Sequence, residues 1–188
     1  VRTRSVQQTV RCSEQPLLCS LNFSGSTLGN LRVACAGFTR EILCWGFAGL
    51  DSAPVEQRLR GHTGVIHSVR WREDGAALVS ASEDRSVILW LQTRGEAGAW
   101  PVFHRSATFW GHAARIWDCQ VHRGIVISVG EDGSGRVFTF DEENPSKSSS
   151  PLVLRGHQGK HVWRAAICHA ASGAVRFATG GNDGAMKF

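Results

Sequence analysis

Three residues in the middle of the sequence have the composition of a hydrolytic triad: His62, Ser80 and Asp84. In such a triad the histidine takes a proton from the serine nucleophile, and the aspartate orients the imidazole ring. The same order of residue types returns twice further along the chain, as His112, Ser128 and Asp132 and as His157, Thr179 and Asp183. An active site does not recur once per repeat, and the sequence lacks a G-x-S-x-G nucleophile elbow. These residues are therefore predicted to be structural, and no catalytic residue is assigned.

Glycine-rich and histidine-rich stretches offer two further chemical interpretations. Residues 130–135 and 180–184 are rich in glycine, but neither stretch fits a dinucleotide or P-loop phosphate motif that opens a helix. They are predicted to be turns, in which glycine supplies a positive φ. His157 and His161 have the spacing of a zinc-binding helix, but they lie where a turn leads into a strand. The sequence therefore predicts neither a bound metal nor a cofactor.

The recurrence of the polar residues at similar steps indicates an internal repeat. Gly-His pairs begin at Gly61, Gly111 and Gly156, which are 50 and 45 residues apart. The hydroxyl residue lies four positions before each aspartate, and an aromatic residue lies six positions after the first two, at Trp90 and Phe138. A weaker copy of the pattern ends at Trp45 and lacks the Gly-His pair.

Short apolar and β-branched stretches within the repeat are typical of strands. Residues 65–71, 77–80 and 86–90 are three such stretches, and turn-forming residues separate them. The stretches that lead into each Gly-His pair, at 55–59, 102–110 and 151–154, are predicted to be outer strands. The sequence therefore predicts an all-β fold.

The Gly-His pair, the Ser/Thr-x-x-x-Asp spacing and the terminal tryptophan resemble the WD40-repeat family over roughly residues 55–188. The resemblance implies a partial β-propeller, with about four four-stranded blades of a larger propeller. It also implies that the polar residues of a blade form a buried hydrogen-bond chain from Asp84 through His62 and Ser80 to Trp90. Phe138 in place of tryptophan removes the indole donor from the next blade.

The repeat divides the chain into four segments. They are a degenerate WD-like blade with a preceding strand (1–54), a WD repeat (55–100), a WD repeat with a serine-rich loop at 141–151 (101–150), and a WD repeat that stops before its terminal aromatic residue (151–188). The absence of an initiator methionine and the stop at Phe188 predict an internal fragment of a longer protein.

Composition excludes several classes of protein. The 188 residues are 42% hydrophobic and 20% charged, which argues against a disordered chain, and no apolar run reaches the roughly 18 residues of a membrane helix. The net charge of +5 mildly favours anionic partners. The six cysteines form no C-x-x-C pair or zinc module, and we expect free thiols in a reducing compartment.

Within the family, residues 111–119 and 156–164 resemble the WD-repeat regulatory subunits of tRNA wobble-position ribose 2′-O-methyltransferases. The resemblance implies a non-catalytic, cytoplasmic scaffold that binds the methyltransferase catalytic subunit and helps to position tRNA, directly or indirectly. The alternative is a generic WD40 protein-interaction scaffold in signalling, connected with growth control or autophagy and with a signalling kinase as its partner. No membrane partner is expected in either case.

Side chains in and beside the Gly-His loops are the candidates for contact with a partner or tRNA: Arg115, Asp118, Lys160 and Arg164. Arginine forms bidentate contacts with phosphate, and basic residues release counterions from RNA. Strict alternation along a strand predicts that Asp118 and Arg164 face a partner. The same alternation predicts that Trp117 and Trp163 pack between neighbouring blades instead of stacking on a ligand.

Overall fold

Short antiparallel strands form nearly all of the regular structure in the computed structural model of the chain. The structure describes residues 17–27, 30–47, 53–93, 100–145, 147, 149–169 and 174–188. Residues 94–99 lie outside the described residues, as do Cys12 and residues 146 and 148 of the predicted serine-rich loop. In the part that is described, no residue is in an α-helix, and no helix is long and apolar enough to span a lipid bilayer.

The strands form four sheets, and in each sheet sequential strands pair as an antiparallel meander. The first sheet consists of β1 (Leu18–Ser24), β2 (Leu31–Gly37), β3 (Glu41–Phe47) and β4 (Val55–Arg60). The second consists of β5 (Ile66–Trp71), β6 (Ala77–Ser82), β7 (Val87–Gln92) and β8 (Phe103–Phe109). The third consists of β9 (Ile116–His122), β10 (Ile125–Gly130), β11 (Gly135–Thr139) and β12 (Leu152–Leu154). The fourth contains β13 (Val162–His169), β14 (Val175–Gly181) and β15 (Met186–Lys187).

Apolar side chains fill the spaces between consecutive sheets. Ile42, Ile66 and Trp90 belong to the cluster between the first and second sheets. Phe109 and Phe138 pack in the next cluster, with ring centroids 5.0 Å apart. Val129 and Val162 belong to the cluster between the third and fourth sheets. Burial of apolar area on both faces of the middle sheets is the main force that holds the stack together.

The innermost strands β1, β5, β9 and β13 contact one another in succession, which is the radial arrangement of propeller blades. Among the described strands, no comparable contact joins the fourth sheet to the first, so the propeller is partial. The predicted all-β, partial-propeller fold is confirmed. One difference is that three strands of the fourth sheet, instead of four, lie in the part of the chain that the structure describes.

The segments predicted to begin at residues 55, 101 and 151 start at or just before the outer strands β4, β8 and β12. Each segment therefore spans the last strand of one sheet and the first three strands of the next. This arrangement covalently links neighbouring sheets, because every predicted repeat has strands in two of them.

The turn between the second and third strands has the same backbone conformation in every sheet. The residue after the turn aspartate has a positive φ, at Arg85 (71°), Gly133 (72°) and Gly184 (70°), and Arg40 (61°) is the equivalent residue in the first sheet. Glycine adopts this left-handed conformation without strain, whereas a residue with a Cβ atom does not. The turn geometry is therefore set by the sheet and not by glycine.

A β-bulge interrupts the first strand of every sheet, and in β1 the pairing register shifts between Leu18 and Ser20. The pairing register shifts between Ile66 and Ser68 in β5 and between Val162 and Arg164 in β13. In β9 the shift lies opposite Trp117. A bulge adds one residue to the strand and changes the direction of the side chains that follow. Strict alternation therefore does not hold at His67, Trp117 and Trp163.

Candidate functional site

The predicted polar set of the second sheet forms a continuous hydrogen-bond chain. The Nδ1 of His62 lies 2.8 Å from the Asp84 carboxylate, and its Nε2 lies 2.8 Å from the Ser80 hydroxyl oxygen. Trp90 donates its indole N–H to the same hydroxyl over 2.9 Å. Asp84 also accepts from the backbone N–H of Thr63 at 2.9 Å. The chain joins the Gly-His loop, the turn and the third strand of one sheet.

The third and fourth sheets contain shorter versions of this chain. His112 contacts Asp132 at 3.0 Å and Ser128 at 2.9 Å, and His157 contacts Asp183 at 2.9 Å and Thr179 at 2.9 Å. Phe138 has no donor for Ser128, so the third chain stops at the hydroxyl. Phe138 packs instead against Phe109, and apolar contact replaces the indole hydrogen bond.

Hydrogen bonding keeps the three turn aspartates ionised. Partial burial alone would raise the pKa of Asp84, but hydrogen bonds from His62 and Ser86 outweigh it and hold that pKa well below its usual range. The pKa of Asp132 is lowered for the same reason, by His112 and the Ala113 amide acting against burial. His157 and the Gln158 amide lower the pKa of Asp183.

The geometry of the His, Ser/Thr and Asp sets fits a structural role and not a catalytic one. Ser80 is fully buried and its hydroxyl is already bonded to both His62 and Trp90, so no substrate can approach its oxygen. Burial raises the pKa of the Cys44 and Cys119 thiols, which keeps them protonated and unreactive. Within the described ranges, no group of three or more His, Cys, Asp or Glu side chains could hold a metal ion.

Asp118, predicted to face a partner, is buried, and this prediction is wrong. Its side chain is 1% exposed and accepts hydrogen bonds from the Ser68 hydroxyl at 2.6 Å and the Ala165 N–H at 3.2 Å. Arg70 lies 3.3 Å from the same carboxylate. The bulge at Trp117 turns Asp118 towards the neighbouring sheets, and a buried carboxylate requires these partners. Asp118 therefore connects three sheets.

The three basic candidates lie on the side of the sheets where the Gly-His loops and aspartate turns meet. Arg115 is half exposed, and its guanidinium lies 3.5 Å from Glu83 and 3.3 Å from Glu131. Lys160 and Arg164 are exposed, and among the described residues neither is paired with a carboxylate. Of the three candidates, Lys160 and Arg164 are therefore the ones whose charge is available to a partner.

Aromatic side chains line the same region, because the bulged residues of β5, β9 and β13 are His67, Trp117 and Trp163. The rings of His67 and Trp117 are 4.7 Å apart, and those of Trp117 and Trp163 are 5.2 Å apart. His161 stacks on Trp163 at 4.7 Å, with 5° between the ring planes. Trp117 thus contacts both neighbouring sheets, as predicted, but Trp163 at the end of the row is 41% exposed.

Sequence patterns predicted no role for Arg70 or His67, and the spacing of His161 suggested only a metal ligand. The sequence does distinguish the loop that contains His161, because this Gly-His loop is one residue longer than the first. Three residues separate His62 from Ile66, whereas four separate His157 from Val162. The extra residue is accommodated by positive φ values at Gly159 (95°) and His161 (68°).

Comparison with known proteins places this geometry in a family context. Residues 54–90 match the model "WD domain, G-beta repeat". The chain is 32% identical over 184 residues to the mouse tRNA (34-2′-O)-methyltransferase regulator WDR6, and the match covers 96% of this chain and 16% of that protein. It is 30% identical over 186 residues to the human protein of the same name, covering 97% of this chain and 16% of the relative. The Drosophila melanogaster relative is 27% identical over 179 residues, covering 85% of this chain and 17% of that protein.

A solved structure supports the fold. The crystal structure of Saccharomyces cerevisiae Sqt1 matches with a TM-score of 0.69, at 15% sequence identity, and covers 86% of this chain and 42% of that chain. At this identity the likeness shows the fold alone.

Proposed function

We propose that this chain, which carries a WD40 repeat and folds as part of a β-propeller, belongs to a non-catalytic regulator that binds a tRNA ribose 2′-O-methyltransferase and helps to position tRNA. The observation that supports the proposal is the similarity to the named methyltransferase regulators, which covers 85–97% of this chain. The chain spans 16–17% of the length of those relatives, so their whole activity is not assigned to it. The proposal includes the cytoplasmic location that the sequence resemblance implies.

The geometry supports contact with an anionic partner through Arg115, Lys160 and Arg164. Lys160 and Arg164 are exposed, and Arg115 lies in the Gly-His loop that leads into β9. Phosphate contacts by such side chains release counterions and give RNA affinity without sequence specificity. Asp118 is left out of this contact surface because its carboxylate is buried.

The test is binding of tRNA to the full protein in which Arg115, Lys160 and Arg164 are all replaced by alanine. We expect weaker filter binding, a shallower dependence of affinity on salt, and reduced methylation when the catalytic subunit is present. A matched control replaces Arg123, Lys147 and Arg176, three exposed basic residues at or next to the connections on the opposite end of the sheets, and should leave all three measurements unchanged. Unchanged binding and unchanged methylation in the first variant would contradict the proposal.

A protein-interaction scaffold is the second candidate, and exposed aromatic side chains at the loop end of the sheets favour it. Phe38, in the turn between β2 and β3, is 58% exposed, and Trp110, directly before the second Gly-His pair, is 61% exposed. Exposed apolar patches commonly mark protein contacts. In this alternative the partner is another protein, such as a signalling kinase. A pull-down with and without nuclease separates the candidates, because partners that depend on RNA disappear after nuclease treatment only under the first proposal.

A further inference from the structure

Four aromatic rings form a continuous surface at the loop end of the inner strands, and we call it the aromatic shelf: His67, Trp117, His161 and Trp163. Three of them occupy the bulged position of β5, β9 and β13, so the bulges bring rings from three sheets together. Beside the shelf lies a hollow of about 400 Å³, lined by Cys19, His67, Trp117, Trp163 and Arg164. This volume is within the range of small-ligand sites, roughly 300–1,000 Å³.

We propose that the aromatic shelf stacks one unpaired nucleobase of RNA on Trp163, with Lys160 and Arg164 contacting the adjoining phosphates. The inference rests on the proposed function, since it assumes that RNA reaches this side of the protein. It adds base stacking to the phosphate contacts that the basic residues are proposed to make. Stacking uses the face of the base, whereas the basic residues contact only the backbone.

The backbone at His161 is independent evidence that this end of the shelf is specialised. His161 has a φ of 68°, an uncommon conformation for a residue that has a Cβ atom. Its N–H donates to the Glu131 carbonyl at 3.3 Å, and its carbonyl accepts from the Asn182 N–H at 2.9 Å. These bonds hold the imidazole parallel to the Trp163 indole. Strained positions that the surrounding structure maintains are concentrated at binding sites.

The backbone conformation of His161 places its imidazole ring against one face of the Trp163 indole. One face of the indole is covered by the imidazole at 4.7 Å, and the residue as a whole is still 41% exposed. A ring held in this way loses little side-chain entropy when a ligand stacks on its free side. Trp117 limits the movement of the indole from the side, at 5.2 Å.

The charges around the shelf fit a polyanion better than an acidic or a purely apolar ligand. The side chains that line the hollow include Arg164 and no carboxylate. The nearest acidic residues in the described turns, Glu83 and Glu131, are held by Arg115. Burial lowers the pKa of His67, so its ring is neutral at pH 7 and offers an uncharged face. An aromatic platform beside unpaired cations is the arrangement that binds single-stranded RNA.

The test compares Trp163→Ala with Trp163→Phe in the full protein, and the probe is a synthetic anticodon stem-loop RNA. For each protein the affinity is measured with the intact loop and with loops in which one nucleotide at a time is abasic. We expect Trp163→Ala to weaken binding of the intact RNA by about 5- to 150-fold, while Trp163→Phe retains most of the affinity. For one of the abasic loops, the alanine variant and the unchanged protein should bind with equal affinity, so that the ratio of their affinities is about 1.

Trp110 provides the matched control, because it is an exposed tryptophan (61%) immediately before a Gly-His loop but outside the shelf. Trp110→Ala should leave the affinity unchanged, and equal melting temperatures of all variants exclude misfolding as the cause. If Trp163→Ala weakens binding of the intact RNA and of every abasic RNA equally, base stacking is wrong although RNA binding stands. If Trp163→Ala leaves RNA affinity unchanged, or weakens only binding of the methyltransferase, the shelf is not an RNA site. If the unchanged protein does not bind the stem-loop at all, the proposed function itself fails.

Discussion

The Ser68 hydroxyl donates a hydrogen bond of 2.6 Å to the Asp118 carboxylate, and that bond crosses from the second sheet to the third. The other carboxylate oxygen accepts from the Ala165 N–H of the fourth sheet. One buried side chain thus links three sheets near the axis around which they are arranged. Its loss should affect all three sheets together.

Asp118→Ala is expected to lower the free energy of unfolding by about 3 kcal/mol. The substitution leaves the Ala165 N–H and the Ser68 hydroxyl without an acceptor and removes the charge partner of Arg70. Urea denaturation measures the effect. Glu143→Ala, which removes an exposed carboxylate, should change stability by no more than about 0.5 kcal/mol. Equal midpoints for the two variants would contradict the structural role of Asp118.

Asp84→Ala is expected to destabilise the protein by roughly 1–3 kcal/mol. The change leaves the His62 imidazole N–H and the Thr63 amide without their acceptor. The denaturant midpoint is again the measurement. An unchanged midpoint would mean that the polar chain of the second sheet does not contribute to stability.

Acid should unfold the protein through the turn aspartates. The pKa of Asp84 and of Asp132 is lower in the folded protein than in the unfolded chain, where aspartate titrates near about 3.9. Protonation therefore favours the unfolded chain: the stabilisation is complete above about pH 5 and decreases as the pH falls below about 4. Urea midpoints between pH 7 and pH 3 should show this decrease. Asp84→Asn, which removes one of the titrating groups, should give a smaller decrease over the same interval, and an equal decrease would exclude Asp84 as a contributor.

Arg85→Gly is expected to stabilise the protein by about 0.5–1 kcal/mol, because glycine adopts the φ of 71° without strain. The reverse change, Gly184→Ala, should destabilise it by a similar amount. A Cβ atom at Gly184 meets no other atom within 4 Å, so the backbone alone accounts for that loss. Thermal denaturation measures the change in stability of each variant. If Arg85→Gly destabilises the protein, the contacts of the arginine side chain stabilise it by more than the positive φ destabilises it.

The three basic candidates should differ in their salt dependence. Lys160→Ala and Arg164→Ala should each reduce the slope of log affinity for tRNA against log salt by about 1. Arg115→Ala should reduce it less, since Glu83 and Glu131 already neutralise that guanidinium. Filter binding at several salt concentrations distinguishes the residues. Equal reductions for all three would mean that Arg115 exchanges its carboxylate partners for phosphate on binding.

Sequence patterns predicted the parts of the structure that depend on local spacing. The positions of His62, Ser80 and Asp84 in the repeat correspond to atoms that lie within hydrogen-bond distance, because the spacing reflects one loop and one turn per sheet. Asp118 was assigned to the surface because strict alternation was assumed along a strand that contains a bulge. A bulge arises from pairing between strands, so the sequence of one strand does not reveal it.

For Asp118 strict alternation predicted exposure of a buried residue, and for the aromatic shelf it predicted burial of a residue that is exposed. Alternation assigned Trp117 and Trp163 to the space between sheets. Trp117 does contact both neighbouring sheets, but Trp163, at the bulge of β13, is 41% exposed and stacks on His161. Longer separation of His157 from Val162 was visible in the sequence. Its effect on the stacking of His161 depends on the neighbouring Glu131 carbonyl, which lies 30 residues earlier in the chain.

Side-chain oxygens of one inner strand accept hydrogen bonds from the backbone of the next, as Ser20 does from Val69 and Asn22 from Trp71. An inserted or duplicated repeat would therefore need the correct acceptors on its first strand as well as a suitable apolar face. This requirement restricts which repeats can be exchanged during evolution. Shuffling of repeats should be tolerated only in pairs whose inner strands match, and the order of the sheets is thereby encoded in a few polar side chains near the axis.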